Sequence, residues 1–162
     1  PLEVQQLVAD AALRLLGAEL CAVLRLDRMG RIEHQVLVER DRRRSDLRIG
    51  FRLDGMTARL VEQQEPIAIV DLREMPGANS DALELGIRSV LGIAVGTQDD
   101  RLGVIWVGAY QPHEWSRHQI SLISILANQA GQALKSAQLF ELEQQRRRLA
   151  DTLRDVAQSF TS

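Results

Sequence analysis

A few side chains in this sequence are of types and spacings that could do chemistry. His113, Glu114 and His118 stand close together, and a His-x-x-x-x-His pair resembles half of a metal site. A zinc centre needs three or four ligands, however, and the HExxH spacing that sets two imidazoles on one helix face is absent. His113 follows Pro112 just ahead of a helix start and reads as a surface residue. His34 falls in an alternating apolar run, which reads as a hydrogen-bonded core histidine, with haem ligation as the alternative. Cys21 is the only cysteine, so no intrachain disulfide, CxxC pair or cysteine-rich zinc site can form. It lies in a strand-like run with no base near it in sequence and reads as an inert buried thiol. The acid pairs Asp99-Asp100 and Asp71/Glu74 lie in turn-like segments, where solvation accounts for them. No GxxxxGK[ST] phosphate loop, strand-following GxGxxG or GxSxG elbow occurs. These residues point away from catalysis.

Arginine supplies 19 of the 20 basic residues. The guanidinium fork suits carboxylates and phosphates, but here the arginines are scattered among acids, and a GC-rich genome would leave the same bias. The chain of 162 residues carries a net charge of −2, so nothing draws it broadly toward nucleic acid or anionic lipid. Apolar residues at 45% and charged residues at 26% suit one globular domain with an appendage and argue against wholesale disorder. The longest apolar run, about Leu102 to Tyr110, is far short of the roughly 18 residues of a membrane span. Residue 1 is Pro and no signal-peptide pattern follows it, so the expectation is a piece of a longer cytoplasmic protein.

The elements that must position any site follow from periodicity and punctuation. Val4, Leu7, Val8, Ala11 and Leu15 recur at helical steps, and Gly17 offers a C-cap. Glu19–Leu26 and Arg31–Arg40 read as a β-hairpin turning through Asp27-Arg28-Met29-Gly30, with Ile32, His34, Val36 and Val38 on one face. Residues 39–48 read as a solvated mixed-charge loop. Asp54 is placed to cap a short helix, Gly55–Gln63, and Pro66 opens a strand, Ile67–Val70. Residues 71–87 read as a long connection in which Asn79-Ser80-Asp81 caps one helical turn ended by Gly86. A connection of that length is usually functional or mobile. Two strands follow, Arg88–Gly96 and Leu102–Tyr110, joined by Thr97-Gln98-Asp99-Asp100. Their nearly continuous apolar character calls for cover on both faces.

Ser116 and Gln119 have capping-box spacing. The helical pattern after them runs to about Phe160, some 45 residues or roughly 67 Å, whereas the globular part should be about 30–40 Å across. The rod must therefore leave the domain. Ile123, Leu126, Ala130, Ala133, Ala137 and Phe140 form a first stripe. Leu139, Leu142, Arg146, Leu149, Leu153, Val156 and Phe160 form a second, with alternating steps of three and four that make a heptad seam broken only by Arg146. Such a seam needs a partner: the expectation is a second copy in a parallel dimer, the alternative a tail that folds back on its own domain or is disordered in isolation.

The series of elements, with "EQQEPIAIVDL", "GIRSVLGIAV", "RLGVIWVGAY" and "WSRHQISLISILANQAGQALKSAQLFELE", resembles a GAF domain over about residues 2–142. Gly86-Ile87-Arg88-Ser89-Val90-Leu91 resembles the family's entry into a central strand, Leu102-Gly103-Val104-Ile105 the next strand, and Leu126 to Phe140 its C-terminal helix. The resemblance implies an α+β fold: an antiparallel sheet of five or six strands, terminal helices on one face, and short helices and loops over a ligand-side pocket on the other. It divides the chain into a domain, 1–140, and a coiled-coil linker helix, 141–162, leading to an output domain. "LADTLRDVAQSFTS" is similar to the lead-in helix of a further GAF or output domain.

The implied role is a non-catalytic, homodimeric sensor in a signalling protein such as a histidine kinase, a cyclase or a two-component system. Its pocket would lie beneath residues 71–86, with Met56, Asp71, Arg73, Met75 and Arg88 as candidate lining residues. Arg73 and Arg88 are the candidate anion anchors. No cysteine lies where phytochrome-like members attach bilin, the several cysteines of the free methionine sulfoxide reductases are missing, and the cyclic-nucleotide motif is unmatched after Asn79. The alternatives are a purely structural dimerisation module with a filled pocket, and a sensor holding haem noncovalently through His34 or His118.

Overall fold

A computed structural model describes residues 2–41, 48–52 and 55–161. The Asp54 cap and most of the mixed-charge loop, residues 42–47, lie outside the described residues. The first helix, α1 (Leu2–Leu16), ends where Gly17 donates its N–H to the Leu13 carbonyl. Strands β1 (Leu20–Leu26) and β2 (Ile32–Glu39) form the hairpin. Its turn is held by the Asp27 carboxylate, which accepts the Met29 and Arg31 N–H groups at 2.9 Å each. Gly30 sits there at φ +77°, a region that side chains disfavour. Helix α2 (Gly55–Gln63), strand β3 (Ile67–Ile69), a 3-10 turn (Leu72–Glu74) and the short helix α3 (Ser80–Glu84) follow. Strands β4 (Ser89–Gly96) and β5 (Arg101–Ala109) lead to α4 (Arg117–Thr161), 45 residues long.

The five strands form one antiparallel sheet in the order β2-β1-β5-β4-β3. Side chains on a strand point alternately to opposite faces, and β1 divides accordingly. Cys21 and Val23 join the core under α1 and α4, while Leu20, Ala22, Leu24 and Leu26 join the core under α2, the 3-10 turn and α3. The fold is thus α+β, with the terminal helices on one face and short elements on the other. The capping box at the start of α4 forms in both directions: Gln119 N–H donates to Ser116 Oγ at 3.1 Å, and Ser116 N–H to Gln119 Oε1 at 2.9 Å. Gln119 Nε2 also donates to the Leu16 carbonyl at 3.0 Å, fastening the start of α4 to the end of α1.

Three expectations about faces are corrected. Helix α1 buries Gln5, Val8, Ala9, Ala12, Leu13 and Leu16, and leaves Leu7 and Leu15 exposed. Helix α4 buries Ile123, Leu126, Ala127, Ala130 and Leu134, whereas Ala133 and Phe140 are exposed. In both helices alanines share the buried stripe with larger side chains while other apolar residues stay in water, so apolarity alone misplaces the stripe. Ile32 leaves the face of Val36 and Val38 because the β1–β2 register slips between Arg25 and Leu26, and one slip reverses every side chain beyond it. His34 lies at that end of an edge strand and is exposed, not in the core.

Candidate ligand cavity

The sheet face away from the terminal helices is covered by short elements that leave a cavity of about 450 Å³. Its floor is Leu20 and Ala22 from β1, Leu37 from β2, Val90 from β4 and Trp106 from β5. The Trp106 indole can lie on this floor because the residue opposite it on β4 is Gly92. A Cβ at Gly92 would come within 2.4 Å of that ring and 2.8 Å of Leu60. Trp106 Nε1 donates to Thr57 Oγ1 at 3.2 Å, so the indole also holds the first turn of α2 to the sheet.

Polar residues close one side of the mouth. Asn79 Oδ1 accepts the Asp81 and Ala82 N–H groups and caps α3, and its Nδ2 donates to the Gly50 carbonyl at 3.1 Å. The Asp81 carboxylate accepts the Gly50 N–H at 2.7 Å. From the other side, Gln35 Nε2 donates to the Ile49 carbonyl at 3.2 Å. Residues 49–50 are thereby strapped between α3 and β2 across the opening. Arg52 and Ser80 also line the cavity and are exposed. Such a site suits a small molecule with an apolar body and a polar edge directed at Arg52, Asn79, Ser80 and Asp81.

Of the five residues expected to line the pocket, Met56 does so. Asp71 accepts the Arg73 N–H at the start of the 3-10 turn and binds its guanidinium through both carboxylate oxygens, at 3.0 and 2.8 Å. That hydrogen-bonded arginine holds the Asp71 carboxyl below the usual carboxylate range. Met75 packs half-buried against the same core. Arg88 donates to the Leu83 and Ile87 carbonyls at 3.2 and 3.0 Å, fastening the end of α3 to β4. These four are not among the lining residues, and the polar groups of Asp71, Arg73 and Arg88 are engaged elsewhere. The strap at Ile49 to Arg52 went unread in the sequence because it adjoins a charged loop. Its signal was the apolar pair Ile49 and Phe51, two positions apart, directly after that loop.

None of the three histidines lines the cavity. His34 and His118 are exposed, and His113 hydrogen-bonds Gln119 at 3.0 Å and meets the Trp115 ring edge-on. Among the described residues, no group of three or more His, Cys, Asp and Glu side chains could hold a metal ion. Cys21 is fully buried in the helix-side core, and burial pushes its thiol well above the ordinary range. No helix of the described residues is long and apolar enough to cross a membrane.

Solved GAF domains share this architecture. A GAF domain from Synechocystis sp., solved in its photoproduct state, superposes with a TM-score of 0.68 at 18% identity, covering 88% of this chain and 98% of its own. The GAF domain of a two-component sensor histidine kinase from Bacillus halodurans gives 0.67 at 16% identity, covering 86% and 96%. That of a phosphoenolpyruvate-protein phosphotransferase from Coxiella burnetii gives 0.64 at 20% identity, covering 86% of each chain. No curated protein sequence matches this chain. The GAF domain family model matches residues 1–135, which takes in every strand and the packed part of α4, and the chain belongs to the GAF domain family.

Proposed function

We propose that this chain is a non-catalytic sensory module in which a small molecule occupies the cavity and the outgoing helix α4 carries the response to a downstream domain. One observation supports the reading above others: the cavity and the long helix lie on opposite faces of the same sheet, so a shift of the sheet is felt by both. The neighbours from sensor kinases make the same division of labour reasonable here. Residues 1–140 form the sensory domain and residues 141–162 the linker.

The linker partner in this reading is a second copy in a parallel dimer. Leu139, Leu142, Leu149, Leu153, Val156 and Phe160 of the seam are between 41% and 85% exposed, an apolar line that a lone chain leaves in water. Arg146 interrupts it. Replacing Arg146 with Leu should raise the melting temperature of the dimer, since a cation leaves an apolar seam; unchanged melting would count against a seam at that position.

A native mass spectrum of the purified chain reads ligand and subunit number together. Retained small-molecule mass on a dimer supports the proposal. An empty dimer, with no thermal shift across a panel of apolar acids, amides and planar heterocycles, would instead favour a structural dimerisation module. A visible spectrum after haem addition tests that cofactor separately.

A further inference from the structure

Arg25 is a charged side chain taken almost wholly out of water on the helix-covered face, at 4% exposure. A buried guanidinium persists only where carboxylates meet it. Glu141 of α4 lies 3.3 Å from its Nη2, and Glu33 of β2 lies 3.5 Å from its Nε, without hydrogen-bond geometry. Beside it, Gln5 of α1 is fully buried and donates to the Val23 carbonyl at 3.0 Å and the His34 carbonyl at 3.4 Å. Four elements therefore converge on one polar cluster at the end of an otherwise apolar face.

The position of Glu141 gives this cluster its meaning. Leu134 is the last residue of α4 buried on the sheet. Seven residues are two helical turns, about 10 Å on the same face, so Glu141 continues the buried stripe just where the helix departs. Across β5 the residue paired with Arg25 is Gly103, whose Cβ would come 2.3 Å from the Leu24 carbonyl oxygen, so no side chain can crowd the arginine from that strand. On β1 itself, Leu20 and Ala22 face the cavity while Arg25 faces α4. Ala22 and Arg25 are only about 10 Å apart along a strand.

We propose that Arg25 is a positioning residue that clamps the departing turn of α4 through Glu141 and, across β1, makes the direction of that helix answer to the cavity. The second half rests on the sensory reading above. A strand displaced toward a ligand carries Arg25 with it, and the carboxylate must follow or let go. The linker then leaves the domain at a changed angle or with a frayed first turn.

Hydrogen exchange on the whole 162-residue chain tests this. Glu141→Gln is the primary variant, because Glu141 is half-exposed and its loss spares the core. Exchange over residues 136–145 should rise about fivefold, the worth of one partly exposed charge-assisted hydrogen bond, with β4 and β5 unchanged. No change at 136–145, or an equal rise everywhere, overturns the clamp. Arg25→Lys should give a smaller local rise, because a point charge replaces the fork. For the coupling, Ala22→Leu projects into the cavity, and Leu20→Phe does so from the same strand. Either should alter exchange at 136–145 by about twofold or more in the parent chain and not in Glu141→Gln. A response that survives Glu141→Gln overturns the coupling. These measurements need no ligand: a clamp without ligand binding refutes only the sensory reading, and ligand binding without a clamp refutes only this proposal.

Discussion

The two faces of the sheet are built from the same strands and covered differently. Under α1 and α4 the cover is long and continuous, and alanines at 9, 12, 127 and 130 let the helix backbones settle onto the strands. Under α2, the 3-10 turn and α3 the cover comes in pieces of three to nine residues, joined by straps and leaving about 450 Å³ unfilled. Long helices bury one unbroken stripe, whereas short elements each bring ends whose backbone groups need partners. The closed face is packed without such a gap, and the space for a guest lies on the open face among the described residues.

Substitution on each face breaks or sharpens that contrast. Ile123 is fully buried under α4, and Ile123→Ala should cost about 2–5 kcal/mol in urea unfolding, while Met56→Ala, beside space already empty, should cost no more than about 1 kcal/mol. Equal costs would erase the distinction. Gly92→Ala drives a methyl into the Trp106 ring and should destabilise by about 1–3 kcal/mol. The indole should also move toward the cavity, which tryptophan fluorescence would report. Asn79→Ala removes the α3 cap and one strap bond, at about 1 kcal/mol. Amide exchange at residues 49–51 should rise while the amides of α1 stay protected; loss of protection in both would mean that the strap supports the whole fold.

The smallest effect concerns pH. The Arg25 hydrogen bond, opposed by desolvation, holds the Glu141 carboxyl below its ordinary range. A carboxyl lowered in the folded state stabilises it fully above the unfolded value, about 4.3. That contribution fades as pH falls through the folded value. Carbon NMR of the Glu141 side chain should titrate below the ordinary range in the parent chain and return toward it in Arg25→Met. A titration already ordinary in the parent would mean that the pair does not persist in solution.

Much of the fold was legible in the residue order, because local signals carried it. Gly17, the Asp27–Gly30 turn, the Asn79 cap and the Ser116/Gln119 box each work through atoms within a few residues, and all formed as their spacing implied. The candidate site was less legible. Met56 lines the cavity as its element placement implies, but Asp71, Arg73 and Arg88, implied by the same placement, are bonded within their own loop or to nearby carbonyls. Leu20, Ala22 and Trp106 looked like plain strand residues, since alternation says that faces differ and not which face is closed.

By itself, the sequence determined the main helices and strands to within a residue or so at their ends and the excess length of α4, since hydrogen-bond closure and helical rise act along the chain. Only the tertiary structure decided which stripe of each helix meets the sheet, which strand face keeps a cavity, and that Arg25 and Glu141, 116 residues apart, share one charge pair. Those outcomes depend on close approach of small residues and on strand register, and both are settled between segments that come together only when the chain folds.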